Sequence, residues 1–376
     1  MRARSAGVLA AVVLTATVIS LPASATGRGP DFSGPVAIAN DGAGHLWVAN
    51  SENVGVTEVN AASGAVMRIV RGPAFGFNDP NALAVDGANV WVASGGYENP
   101  DGSFPVGALT EFRASDGSLR RWIDLTRAGG TGADGVVVAG PDVWLSARGT
   151  AAQLKIDAAS GTIVSVFHKA AKLNTSSRSD LAFDGAHIWL TQWNGVVEID
   201  PSTGQVVHSV TMSVLATAPG VSYKVPSTLT PVAIAFSPGH VWAANDASLD
   251  GTQYLGGSVA DIDPATDKMV RLFTASRDKF ENIQQIVVVG RDLWVLNGSI
   301  STSQGLRGAT LTELDSRTGQ LVRIVNLRDS IVSQPVAMTV ADGAIWVVDD
   351  AGGGVTPASY LIEVDPATGA IVRRVA

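Results

Sequence analysis

Short apolar runs broken by glycine and aspartate recur along nearly the whole chain. The cleanest copy spans residues 335–375 and reads PVAMTVADGAIWVVDD, then a glycine-rich loop, then YLIEVDPATGAIVRRV. Residues 336–340 form a first β-branched run, and Asp342-Gly343 supplies a tight hairpin connection, because this pair tolerates positive φ. A second run, 345–348, carries Trp346. A third run, 360–364, alternates with Glu363 outward, and Asp365-Pro366-Ala367-Thr368-Gly369 forms a second turn before the fourth run, 371–375. Periods near two, β-branched enrichment and turn residues between runs predict strands, not helices.

The unit is repeated. Seven of the nine tryptophans mark its second strand: Trp47, Trp91, Trp144, Trp189, Trp242, Trp294 and Trp346, separated by 44, 53, 45, 53, 52 and 52 residues. Such spacing sits at or slightly above the roughly 40–50 residues of a four-stranded propeller blade. A lone four-stranded sheet cannot bury both its faces, so seven in series predict radial closure. The expected fold is all-β: a seven-bladed β-propeller of four-stranded antiparallel blades, one domain over residues 35–376. The chain enters at a first strand and leaves at a fourth, so closure is expected to rest on blade 7 packing against blade 1.

The first 25 residues read differently. Arg2 and Arg4 precede an apolar run over 6–21 and then Ala23-Ser24-Ala25, the layout of a signal peptide cleaved after Ala25. A short segment, 26–34, would link it to the propeller. The expected location is therefore outside the cell or at the cell envelope, with no membrane span after cleavage. The formal net charge is −8 and becomes −10 without the two leader arginines. An acidic chain with scattered basic residues argues against a nucleic-acid partner. With no cysteine, disulfides and thiolate metal sites are excluded.

Loop lengths sort by face. Connections between strands 1 and 2, and between strands 3 and 4, are tight in every repeat and lie together in antiparallel blades. The longer connections, such as 95–106, 211–230, 246–256, 298–307 and 350–358, emerge on the other face. Variable loops on one face of a rigid scaffold are where binding function resides. At the start of the first strand, blades 1, 5 and 7 read Pro-Val-Ala, whereas blades 2, 3, 4 and 6 place polar residues there. Polar groups at positions built for Val and Ala lose burial energy unless they meet water, one another or a ligand. Asn81, Asp134, Arg148, Arg178, Asp180 and Trp193 form the candidate ligand-binding set at the channel mouth. Either they line a pocket, or they satisfy one another and channel water.

The other candidate chemistry is sparse. His45, His187 and His240 each stand two residues before a repeat tryptophan and read as structural, and Trp122 is expected to pack within the outer strand of blade 2. His208 falls on the outer strand of blade 4, and no two histidines have metal-ligand spacing on one element. Neither a nucleophile elbow nor a phosphate-binding loop is present. No cofactor or resident metal is expected, although Asp134 and Asp180 supply oxygen donors suited to calcium or magnesium.

The runs PVAIAN…HLWVAN at 35–50, with copies at 231–245 and 335–349, resemble the secreted bacterial seven-bladed propellers grouped with virginiamycin B (streptogramin) lyase and the NHL- and YVTN-repeat proteins. The resemblance covers residues 31–376 and rests on structural positions. It implies the propeller fold. For the lyases it also implies an inner-mouth histidine and glutamate acting with magnesium to open a cyclic ester by elimination. The seven strand openings here hold neither His nor Glu, and Glu281 lies in the loop before blade 6. The expectation is thus a non-catalytic, monomeric scaffold binding a protein, peptide or glycan on its long-loop face. A metal-assisted lyase or hydrolase using Asp134 or Asp180 is the alternative.

Overall fold

The computed structural model describes residues 17–20, 32–95, 107–129, 132–148, 152–167, 180–192, 194–212, 229–246, 249–250, 253–254, 257–274, 280–302, 305–328, 333–350 and 359–376. The chain forms seven antiparallel blades, each of four strands taken consecutively, from Pro35–Asn40, His45–Asn50, Gly55–Asn60 and Val66–Arg71 in blade 1 to Pro335–Ala341, Ala344–Asp349, Tyr360–Val364 and Ile371–Val375 in blade 7. Thr17–Ser20, within the expected leader, pairs with Val66–Arg71 as an additional outer strand. Blade 1 has its full four strands without it.

The second strands explain why the repeat needs its neighbours. Leu46, Trp47, Val48 and Ala49 are all fully buried although they point alternately to opposite faces. Trp47 and Ala49 pack with Val90, Val92 and Phe112 of blade 2, while Leu46 and Val48 pack with Trp346 and Val348 of blade 7. Each blade therefore supplies a tryptophan to the next seam, and all seven repeat tryptophans have no exposed surface. The seam between blades 7 and 1 is built as the others are. Asn40 Nδ2 donates to the carbonyl of Val340 at 2.8 Å, and Arg373 donates to the carbonyl of Ala62 at 2.9 Å. Closure by packing of blade 7 on blade 1 is what the ring shows.

A second belt runs outside the tryptophans. The residue paired with each repeat Trp on the third strand is a carboxylate in six blades: Glu58, Glu111, Glu198, Asp261, Glu313 and Glu363. On the fourth strand, arginine stands opposite five of these: Arg68, Arg121, Arg271, Arg323 and Arg373. Each such arginine forms an ion pair with its carboxylate. Several reach on to a backbone carbonyl in the next blade's turn, as Arg68 does to Ser115 at 2.9 Å and Arg121 to Ala159 at 2.8 Å. Glu363 is thus turned inward and paired with Arg373, not outward as the alternation suggested, because the outer strand covers it. Burial raises the carboxyls of Glu58, Glu111 and Glu313 above the ordinary glutamate range, against the pull of their arginines.

Two of the expected long loops contain ordered strands. The second and third strands of blade 6 run on as an extended hairpin, Asp292–Thr302 with Gly305–Asp315. Blade 5 carries a small hairpin, Leu249–Asp250 with Gln253–Tyr254, between its second and third strands. In blade 4 the first strand is short, Leu181–Phe183, so Asp180 precedes it. Trp122 lies on the outer strand of blade 2 but is 42% exposed, with its indole across Gly76, where no Cβ could fit.

Candidate functional site

The first strands line the axis. Small residues opposite the tryptophans, such as Ala39, Ala84 and Ala235, keep the bore open, and a cavity of about 470 Å³ runs between the blades. Its wall is mainly aliphatic, with Asn40, Gln285 and Thr339 among its polar positions. Toward the long-loop face, six first strands carry a β-bulge at one repeat position, between Pro35/Ala37, Pro80/Ala82, Ala133/Gly135, Pro231/Ala233, Ile283/Gln285 and Pro335/Ala337. The bulged residues are Val36, Asn81, Asp134, Val232, Gln284 and Val336, the column in which the sequence departs from its own consensus. A bulge leaves its extra residue out of the ladder and re-aims it.

The structure divides the candidate set. Asn81 and Asp134 come together at the seam of blades 2 and 3. Asn81 Nδ2 donates to the carbonyls of Gly95 at 3.0 Å and Ala133 at 3.5 Å, the latter immediately before the half-buried Asp134. Arg148 ends the second strand of blade 3 and is paired with Gly132, two residues from Asp134. The backbones of Gly95 and Gly132 meet so closely that a Cβ on Gly95 would lie 2.1 Å from the Gly132 Cα, so the seam excludes any larger residue. Arg178 and Trp193 lie outside the described residues.

Asp180 belongs to another seam. Its Oδ2 accepts the backbone N–H of Ile234 in blade 5 at 2.9 Å, and its own N–H donates to Thr191 Oγ1 at 2.9 Å. Gln285 repeats this tie between blades 6 and 7, its Oε1 accepting the N–H of Met338 at 2.5 Å. Ile234 and Met338 are equivalent repeat positions, each just past a bulge. Two of the polar departures therefore cap a backbone donor of the following blade. Burial raises the Asp180 carboxyl to about 6, outweighing the N–H donors of Ile234 and Leu181 that favour its charged form. At the opening of blade 6, Gln284 Nε2 donates to Asn282 Oδ1 at 2.9 Å, and Asn282 Nδ2 to the carbonyl of Ser299 at 2.9 Å.

The three histidines before the tryptophans lie where their structural reading put them. His45 pairs with Asp41 at 2.8 Å, His187 with Glu198 at 2.9 Å and His240 with Asp261 at 2.8 Å. The Trp–carboxylate–Arg belt went unseen in the sequence, although in six of the seven blades a carboxylate two residues before the turn between strands 3 and 4 carried the signal.

No family model and no curated protein matches the chain. Solved structures do resemble it. Virginiamycin B lyase from Staphylococcus aureus aligns with a TM-score of 0.58 at 14% identity, over 89% of this chain and 95% of that one. A catalytically inactive variant of that enzyme with quinupristin aligns at 0.61 and 13% identity, over 90% and 97%. A streptogramin B lyase aligns at 0.60 and 15%, over 89% and 94%. A dihydro-heme d1 dehydrogenase also aligns, at 0.55 and 16% identity, over 92% of this chain and 66% of that one. At such identities the likeness supports the propeller fold alone and carries no activity over to this chain.

Proposed function

We propose that the chain is an extracellular binding propeller that recognises a protein, peptide or glycan at the rim of its long-loop face, centred on the seam of blades 2 and 3. The observation that carries this reading is the division of the mouth. Asp180 and Gln285 act as blade-to-blade caps, and the β-bulges of blades 2 and 3 set Asn81 and Asp134 out of the ladder at the mouth of an aliphatic bore, with Arg148 at the end of the adjoining strand. A ligand with polar groups meeting that rim would be oriented as well as bound by such residues. The leader-like start supports export.

The test is a panel of cell-wall glycans and peptides screened against wild type, Asp134→Lys and Arg148→Glu. Binding that falls at least tenfold in the variants is expected. Binding untouched by both substitutions overturns the site. The neighbouring lyases supply the second arm: magnesium-dependent conversion of quinupristin, read by chromatography, would overturn the non-catalytic reading. Asp134 or Asp180 would serve such turnover as ligand or base.

A further inference from the structure

The belt outside the tryptophans changes character at one seam, and it changes on both sides of that seam at once. Opposite Glu198 the outer strand of blade 4 carries His208 where five other blades carry arginine. Facing it, the turn of blade 5 ends in Asp267 at φ 55, a position that is glycine in every other blade, for example Gly161, Gly204 and Gly369. At two other seams the belt arginine of the preceding blade lies directly over that glycine, and at two more a phenylalanine, Phe167 or Phe273, does. A Cβ on Gly161 would meet Arg121 Cδ at 2.5 Å, and one on Gly369 would meet Arg323 Cδ at 2.8 Å. Shortening arginine to histidine opens that space, and Asp267 fills it despite the left-handed backbone that penalises a side chain.

The result is a donor cluster. His208 Nδ1 lies 2.7 Å from Glu198 Oε2, and His208 Nε2 lies 3.1 Å from Asp267 Oδ2. One ligand atom from each of the three residues falls within 4.8 Å of the others. His187 stands on the far side of Glu198, its Nδ1 2.9 Å from Oε1, placed to steady that carboxylate. The charge balance differs too. A usual seam sets one carboxylate against one guanidinium, whereas this seam sets two carboxylates around an imidazole and has lost the built-in cation. One imidazole with two carboxylates is a donor set suited to a borderline divalent ion such as zinc. His208 is 45% and Asp267 21% exposed at the side chain, which leaves an entry path, while Glu198 at 5% is held firmly in the sheet.

We infer that Glu198, His208 and Asp267 form a zinc-class divalent metal site that clamps blade 4 to blade 5, on the outer belt and apart from the channel mouth. The ion would take the place that the arginine guanidinium holds at other seams, adding coordination bonds from two blades.

The test uses the full chain stripped with a chelator and titrated with zinc chloride at pH 7.5 by calorimetry, with melting temperature followed in parallel. One zinc per chain and a rise in melting temperature are expected in wild type. The double variant His208→Arg with Asp267→Gly restores the seam used elsewhere, so it should fold and lose zinc affinity at least tenfold. Asp267→Gly alone relieves a left-handed backbone and provides a second folded variant, also expected to bind more weakly. Absence of a saturable zinc heat in wild type would overturn the inference and leave a proton-linked His208 clasp at the seam. Equal zinc affinity in wild type and double variant would overturn it as well.

Discussion

Asp180 shows how a single side chain can hold the ring together at a cost to its own charge. Its carboxylate caps the Ile234 N–H across a seam, yet burial raises its pKa from 3.8 to about 6. The folded state therefore binds the proton more tightly than the unfolded chain does. The stability this group contributes is complete below 3.8 and is lost as pH rises through about 6. A rise of that size is equivalent to roughly 3 kcal/mol, and the partial exposure of the residue reduces the real penalty. Asp180→Asn keeps an acceptor for Ile234 and removes the charge. It should unfold about 1–2 kcal/mol later than wild type in denaturant at pH 7.5, with the difference vanishing near pH 3.5. Equal stability at both pH values would mean that the carboxylate is well solvated in the channel. The turn aspartates have the opposite sign: hydrogen bonds from Ser160, Ser202 and Thr318 hold Asp157, Asp200 and Asp315 below the usual range, so their contribution fades as pH falls.

At the scale of the element, the turn between strands 3 and 4 is a seam component as much as a reversal of the chain. In blade 3, Gly140 in the turn between strands 1 and 2 and Gly161 in the turn between strands 3 and 4 both have positive φ, at 61° and 73°. A Cβ on Gly140 meets nothing, while one on Gly161 would displace Arg121 from Glu111 and from the Ala159 carbonyl. Gly140→Ala should cost about 1 kcal/mol, the ordinary penalty of a left-handed alanine. Gly161→Ala should cost at least about 1 kcal/mol more, through overpacking of the seam. Equal costs by denaturant unfolding would show that Arg121 re-routes freely. The strands, the turns and the tryptophan register could be read from local patterning, because period two and Asp-Gly chemistry act within a few residues. The inward turn of Glu363 could not, since its partner Arg373 arrives from the next strand and the alternation looks the same either way. Asp180 and Gln285 were legible as departures from Val and Ala. Their partners, Ile234 and Met338, lie one blade away, at distances in the chain that no local pattern encodes.

For the molecule as a whole, the seams carry the stability, and every blade buries its second strand on two of them. Ending the chain before Pro335 would strip Trp294 and Leu296 of Met338 and Val347, and Leu46 and Val48 of Trp346. Six blades should therefore show no cooperative unfolding transition by circular dichroism, where the full chain shows one. A sharp transition in the six-blade chain would mean that the ring can close at a smaller number. The bulges set a different freedom. At the mouth, the bulged residue of six first strands is released from ladder pairing, so its identity is nearly uncoupled from whether the blade forms. Six such positions ring one opening. Mutation can therefore revise the recognition surface one residue at a time while the scaffold beneath stays the same, and a single ancestral ring could be retargeted to new ligands without passing through unfolded intermediates.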